Sequence, residues 1–142
     1  MSFPNEEILG FEMDEEFFNE NKKVVQHVAN GFSRVLILWI IKYNKNIHGY
    51  GIMKELDKFF EQHIEMGMIK KFPSSKVYPI LKSYENADMI IGEWKDEENK
   101  KVKYYSITQT GKALLNFISG QHKSLIEHPP WSLFLNDFYG IE

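Results

Sequence analysis

The chain has 142 residues, 43% hydrophobic and 15% aromatic, enough bulk for one domain with a real core and against intrinsic disorder. It contains no cysteine, which excludes a disulfide scaffold, a thiolate nucleophile and any Cys-ligated metal or cluster. The net charge of -3 hides an asymmetry: residues 1–20 hold seven acids and no base, so the other 122 carry 17 bases against 13 acids.

The spacing predicts a first helix over 14–30. Asp14 caps it, Glu15 and Glu16 favour its positive end, and Phe17, Val24 and Val28 share a face with Phe18 and Val25 alongside. Gly31 is read as an interruption, followed by a second helix over 32–43. That segment holds the longest apolar run, Val35 to Ile41, which is seven residues against the roughly 20 of a membrane span. Apolar on every side, it is expected to be buried all round, in the core or between two subunits. With no Lys or Arg in the first twenty residues to start a signal peptide, a soluble, cytoplasmic protein without a membrane partner is expected.

Asn44-Lys45-Asn46 reads as a turn, and a third helix follows from Tyr50 to His63 with Ile52, Leu56, Phe59, Phe60 and His63 on its core face. Residues 64–73 read as loop. A fourth helix starts after Pro73 with Ser74 or Ser75 as its cap and runs to Asn86 or Ala87. Val77, Ile80, Leu81 and Tyr84 face inward, and Lys76, Tyr78, Pro79, Lys82 and Ser83 face out. Met89–Trp94 and Val102–Ile107 read as two strands of a hairpin, with Lys95–Lys100 as its charged tip. Thr108 or Thr110 caps a last long helix to Glu127, which Pro129-Pro130 ends. The aromatic tail over 131–139 must pack on its own chain or on a partner.

Helices followed by a hairpin predict a mainly α (α+β) fold: a winged helix-turn-helix with an extra N-terminal helix and a long C-terminal dimerisation helix. The corresponding domains are an acidic extension over 1–30, a DNA-binding unit over 31–107, and a dimerisation helix with its tail over 108–142. In this architecture the last of the three helices enters the major groove and the wing lies along the backbone or minor groove. The helix over 74–86 and the returning strand would bring together Lys70, Lys71, Lys76, Lys82, Lys100, Lys101 and Lys103, a surface suited to phosphates. The helix has no arginine, so the commonest bidentate reader of guanine is missing from it.

Three motifs in this order resemble the PadR-like transcriptional regulators: His48-Gly49-Tyr50-Gly51-Ile52; Val77-Tyr78-Pro79-Ile80-Leu81 with Tyr84-Glu85; and Lys103-Tyr104-Tyr105-Ser106-Ile107-Thr108 with Gly111. The resemblance covers about residues 31–120. It implies a homodimeric winged-helix repressor on a pseudo-palindromic operator, with the C-terminal helix helping to dimerise. It also allows release by a small aromatic or apolar effector. By this analogy Tyr50 and Tyr78 touch the DNA backbone, the helix from Ser75 reads the groove, and Lys101 and Lys103 serve the wing. The candidate DNA-binding set is Tyr50, Ser74, Ser75, Lys76, Tyr78, Lys82, Lys101, Lys103 and Tyr104. This sequence departs from the family in having Lys76 before the Val-Tyr pair, Asp88 where a glycine is usual, and the acidic N-terminal helix.

Nothing in the sequence points to catalysis. The five histidines fall on separate elements; His63 with Glu65 reads as structural rather than as a metal pair, and His48 as a polar cap. No phosphate-cradling glycine loop or G-x-S-x-G nucleophile is present, and no cofactor or metal is expected. Trp39, Trp94, Trp131, Phe134, Phe138 and Tyr139 are candidates for an apolar ligand pocket under the family resemblance, although each alone reads more simply as core or interface. The alternative function is a winged-helix protein-interaction module without operator-specific binding, in which the acidic segment or the aromatic tail docks a partner.

Overall fold

The computed structural model describes residues 14–141. Its first helix, α1, is Glu15–Tyr43, a single rod of 29 residues. Asp14 caps it as expected, its Oδ1 accepting from Phe17 N–H at 2.8 Å. The expected break at Gly31 does not occur. An interior glycine costs a helix only about 1 kcal/mol, and the packed apolar residues on its C-terminal side outweigh that. By length and composition α1 could cross a membrane, with an 18-residue stretch of mean hydropathy 1.4. Its most apolar residues are instead core: Ile37, Leu38, Ile40 and Ile41 are buried, whereas Phe32, Trp39 and Tyr43 face out, so this segment is not covered on every side within one chain.

After a turn at Asn46 (φ 56°), β1 (Ile47–His48) leads into α2 (Gly49–Phe59). His48 caps α2, its Nδ1 accepting from Gly51 N–H at 2.8 Å. The helix stops four residues earlier than its apolar stripe suggested. Phe60 leaves the helical geometry and turns into the core, and a short α3 (Glu61–Glu65) follows in part of the expected loop. Ile52, Leu56 and Phe60 are buried as expected, but Phe59 lies outside against Trp39, with ring centroids 5.9 Å apart. The loop from 66 to 73 is pinned to α2 where Asp57 Oδ1 accepts from Phe72 N–H at 2.9 Å.

The helix α4 is Ser74–Asn86, and its cap is Pro73, with no side-chain bond, rather than either serine. Pro79 is consequently the sixth helical residue and removes an interior bond, the one that Ser75 C=O would have accepted. Val77 and Leu81 are fully buried, and Tyr84 donates to the backbone oxygen of Arg34 at 2.7 Å, tying α4 to α1. Burial pushes the Tyr84 phenol up, with Arg34 pulling weakly the other way. Asp88, at φ 58°, takes the left-handed position that ends the helix.

The hairpin strands, β2 (Ile90–Glu97) and β3 (Lys100–Ile107), are longer than their apolar segments. They are joined by a two-residue turn, Glu98-Asn99, with both φ positive, which keeps the twist of the flanking strands. Pairing is antiparallel from Ile90↔Ile107 to Glu97↔Lys100, and β1 adds at the other edge of β3 to give the order β1-β3-β2. Thr108 caps α5 (Gln109–Glu127), accepting from Gly111 N–H at 3.0 Å. Pro129-Pro130 ends α5 but also begins α6 (Pro129–Tyr139), for which a proline in the first turn is pre-set. One core joins α1, α2, α4, the sheet and Leu115 of α5.

Candidate nucleic-acid interface

The inner face of α4 is fixed by Val77 and Leu81, so residues 75, 79, 82 and 86, on the opposite side of a 3.6-residue period, point away from the core. Ser75, Pro79, Lys82 and Asn86 are all exposed. Lys76 and Tyr78 flank this ridge on either side. Lys76 Nζ donates to Asn30 Oδ1 of α1 at 3.3 Å, while Tyr78 leans toward the start of α2. A Cβ on Gly49 would collide with the Tyr78 hydroxyl and lie 2.7 Å from its Cζ, so the tyrosine rests where only glycine leaves room.

A cleft of about 530 Å³ opens between the start of α2, α4 and the hairpin. It brings together Tyr50, Tyr78, Lys101 and Lys103, four of the nine candidates. Ser75 and Lys76 border a second, smaller depression against Asn30 and Arg34, and Lys82 stands exposed further along α4. Ser74 is exposed in the first turn of α4. Tyr104 does not join the cleft. It donates to Glu97 on its own hairpin, which is the main reason its phenol titrates above the ordinary range, and Lys95 sits 5.0 Å over its ring.

Lys103 is occupied rather than free. Its Nζ lies 2.8 Å from Glu85 Oε2, and the two side chains are only 25% and 26% exposed. The ammonium also sits 5.5 Å from the Trp94 ring centroid and 5.7 Å from that of Tyr105. Gly92, mid-strand, is what lets the Lys103 stem cross, because a Cβ there would strike Lys103 Cε. Burial, then the negative charge of Glu85, pushes the Tyr105 phenol up to about 12, so it remains a neutral wall behind the pair. The pair therefore works as a latch between α4 and the wing, leaving Lys95, Lys101 and the tip lysine Lys100 as the exposed wing cations.

Sequence reasoning missed the latch and the position of Trp94. Glu85 and Lys103 are 18 residues apart and meet only through the hairpin register; Gly92, an interior strand glycine, was the available signal. Trp94, 64% exposed and opposite Lys103 in that register, is a large apolar group presented beside the cleft. Among the described residues no three His, Asp or Glu side chains converge as a metal site would require, His63 and Glu65 included.

A helix-turn-helix whose last helix presents a ridge of hydroxyls and lysine beside a lysine-bearing hairpin is a winged-helix protein. Comparison with known proteins takes this further. The pattern of the transcriptional regulator PadR-like family matches residues 37–116, more than half of the chain, and the protein belongs to that family of DNA-binding regulators. No curated protein matches the sequence. Among solved structures, the fold is similar to a PadR family transcriptional regulator from Eggerthella lenta, with TM-score 0.65 and 19% identity over 84% of this chain and 97% of that one. A PadR-like regulator from Bacillus cereus aligns with TM-score 0.56 and 23% identity over 79% and 95%. One from Clostridium difficile gives 0.51 and 23% over 76% and 98%. The family is one of transcription regulators, not of enzymes.

Proposed function

We propose that the protein is a cytoplasmic, homodimeric repressor that binds a pseudo-palindromic operator with the outer ridge of α4 and the hairpin wing. The observation that supports this is that Ser75 and Lys82 stand exposed on the outer ridge of α4, while Tyr78 of the same helix lines the cleft with Tyr50 and Lys101. Lys76, Lys82 and Lys101 would take phosphates, Tyr50 and Tyr78 the backbone by hydroxyl, and Ser74 and Ser75 the start of the groove. Lys103 acts here as a positioning residue, held by Glu85, and Tyr104 braces the hairpin rather than touching DNA. The domain limits, 31–107 for DNA binding and 108–142 for dimerisation, follow the same reading, although α1 runs unbroken across the 30/31 limit from Glu15 to Tyr43.

Support for a dimer comes from large apolar side chains that one chain leaves uncovered: Phe117 and Leu125 on α5, Trp131, Leu133 and Phe134 on α6. A small apolar effector would find its aromatic walls in the same place. Selection of bound fragments from the native genome, followed by titration with salt, tests the function. Lys82→Ala should weaken binding to the selected site and reduce the salt slope by about 1, the signature of one lost phosphate contact. An unchanged slope removes Lys82 from the interface. Failure to retain any genomic fragment would favour the protein-interaction module.

A further inference from the structure

We infer that a groove beside the start of α4 is the docking site for this chain's own residues 1–13, which compete there with DNA. The groove, about 780 Å³, lies between α1 and the 66–73 loop. Its floor is apolar, with Ala29, Met68 and Phe72 buried in it and Ile64 and Ile69 half-buried alongside. Its rim carries Lys22, Lys70, Lys71 and Lys76, and among the described residues no Asp or Glu lines it. Four like charges above an apolar floor suit an occupant that is both acidic and apolar. Bare DNA answers the charge but has nothing to lay on the floor.

Residues 1–13 lie outside the described residues and join them at Asp14, the cap of α1. By sequence they bring Glu6, Glu7 and Glu12 together with Phe3, Ile8, Leu9 and Phe11, and no base. From Asp14, Lys22 is roughly 12 Å and Ala29 roughly 22 Å along α1, against roughly 40 Å of reach for thirteen extended residues. The segment is therefore long enough to fold back along α1 into the groove. On the DNA-binding reading Lys76 takes a phosphate, and Lys70 and Lys71 share its groove rim, so a filled groove would withdraw these cations from DNA. A tether of this kind supplies roughly millimolar effective concentration. Docking with an intrinsic affinity of about 0.1 mM would then fill the groove about 90% of the time and weaken DNA binding about tenfold.

The proposal rests on the DNA-binding reading only for this competition; the docking is read without DNA. Because the chain has no cysteine, Leu9→Cys takes a single spin label in the full-length protein. The amide signals of Met68, Ile69, Lys70 and Lys71 should broaden while those of Lys100 and Lys101 in the wing do not, and Lys22→Glu should relieve the effect. No broadening, or equal broadening at the wing, overturns the docking. Broadening seen only between a labelled molecule and a separate isotope-labelled copy assigns the groove to a second copy and overturns it too. For competition, Ile8→Ser/Leu9→Ser/Phe11→Ser leaves the charge unchanged and should raise affinity for sheared genomic DNA about tenfold; unchanged affinity overturns the competition. If neither protein binds DNA while the broadening persists, the DNA-binding reading fails and the docking stands.

Discussion

Removing the Glu85 carboxylate tests whether the wing is held to α4 by the latch. Glu85→Ala leaves the Lys103 ammonium three-quarters buried against Trp94 and Tyr105 with no counter-charge. At 2.8 Å the gross attraction is about 6 kcal/mol for an effective dielectric of about 20, but desolvation of both ions cancels most of it. An exposed pair nets about 0.2–1 kcal/mol, and breaking a fully buried one costs about 3–5. With a quarter of each side chain still in contact with water, a loss of about 1–2 kcal/mol is expected. A chain of this size then loses roughly 3–8 °C in Tm. Urea unfolding at one fixed protein concentration measures it, since a dimer's stability depends on concentration. Glu85→Ala, Lys103→Ala and the double variant form a cycle whose coupling should be about 1–2 kcal/mol. Gly92→Ala supplies a further arm that keeps both charges, because its Cβ would displace the Lys103 stem and crowd Glu85 Oε2, which would lie 3.1 Å away. Its effect should be largely absent when Glu85 is already alanine. Additivity within about 0.3 kcal/mol in both comparisons would refute the latch.

Three other expectations follow from particular contacts. Gly49→Ala should push Tyr78 aside, and because the obstacle is the end of a side chain on the surface, urea unfolding should shift by under about 1 kcal/mol while affinity for a selected DNA site falls several-fold; equal DNA affinity would remove Tyr78 from the interface. Tyr105 is an acid whose folded value, about 12, lies above its ordinary 10, so the unfolded chain loses the proton first. Its contribution to stability is whole below pH 10 and declines between pH 10 and about 12, by at most about 2–3 kcal/mol. Ultraviolet titration should lose its latest tyrosinate component in Tyr105→Phe, and an unchanged curve contradicts the assignment. Finally, if the proposed dimer forms through α5 and α6, Leu125→Glu/Phe134→Glu should convert it to monomer in sedimentation while leaving the fold intact by circular dichroism; a persisting dimer would place the contact elsewhere.

The elements legible in the sequence are those whose signals are local. The period of Val77, Leu81 and Tyr84 marked α4, and Thr108 marked the start of α5. The β1 strand was not legible: it has two residues, and pairs with β3 almost sixty positions later. The hairpin was found but drawn too short, because beyond Trp94 it leaves the core and its polar residues no longer alternate with apolar ones. Gly31 misled, whereas the two prolines end α5 as expected and also start α6 in what was read as a tail. An interior glycine is a break only when nothing else supports the helix, and here packing carries α1 through it, while a proline in a first turn is a start as well as a stop. Of the candidate interface, the charges were legible but their partners were not. Lys103 counts as a free cation in a sequence and as half of an ion pair in the fold.

That pairing alters how such a surface can choose DNA. The single arginine, Arg34, is on α1, so no guanidinium fork stands on the ridge of α4. The exposed groups that could reach base edges are Ser75, Lys82, Ser83 and Asn86, short or flexible side chains that discriminate weakly one at a time. Phosphate contacts from lysine hold a protein on any duplex and say little about sequence. Discrimination must therefore come from the rigid placement of those contacts. The latch fixes the wing relative to α4 within one subunit, and the proposed two-fold dimer would set the two α4 ridges about one helical turn, roughly 34 Å, apart. A site whose phosphates fall at those positions is favoured over one that must be bent to reach them. On this reasoning Glu85, which carries the wrong charge for DNA, contributes more to selectivity than any single lysine facing it.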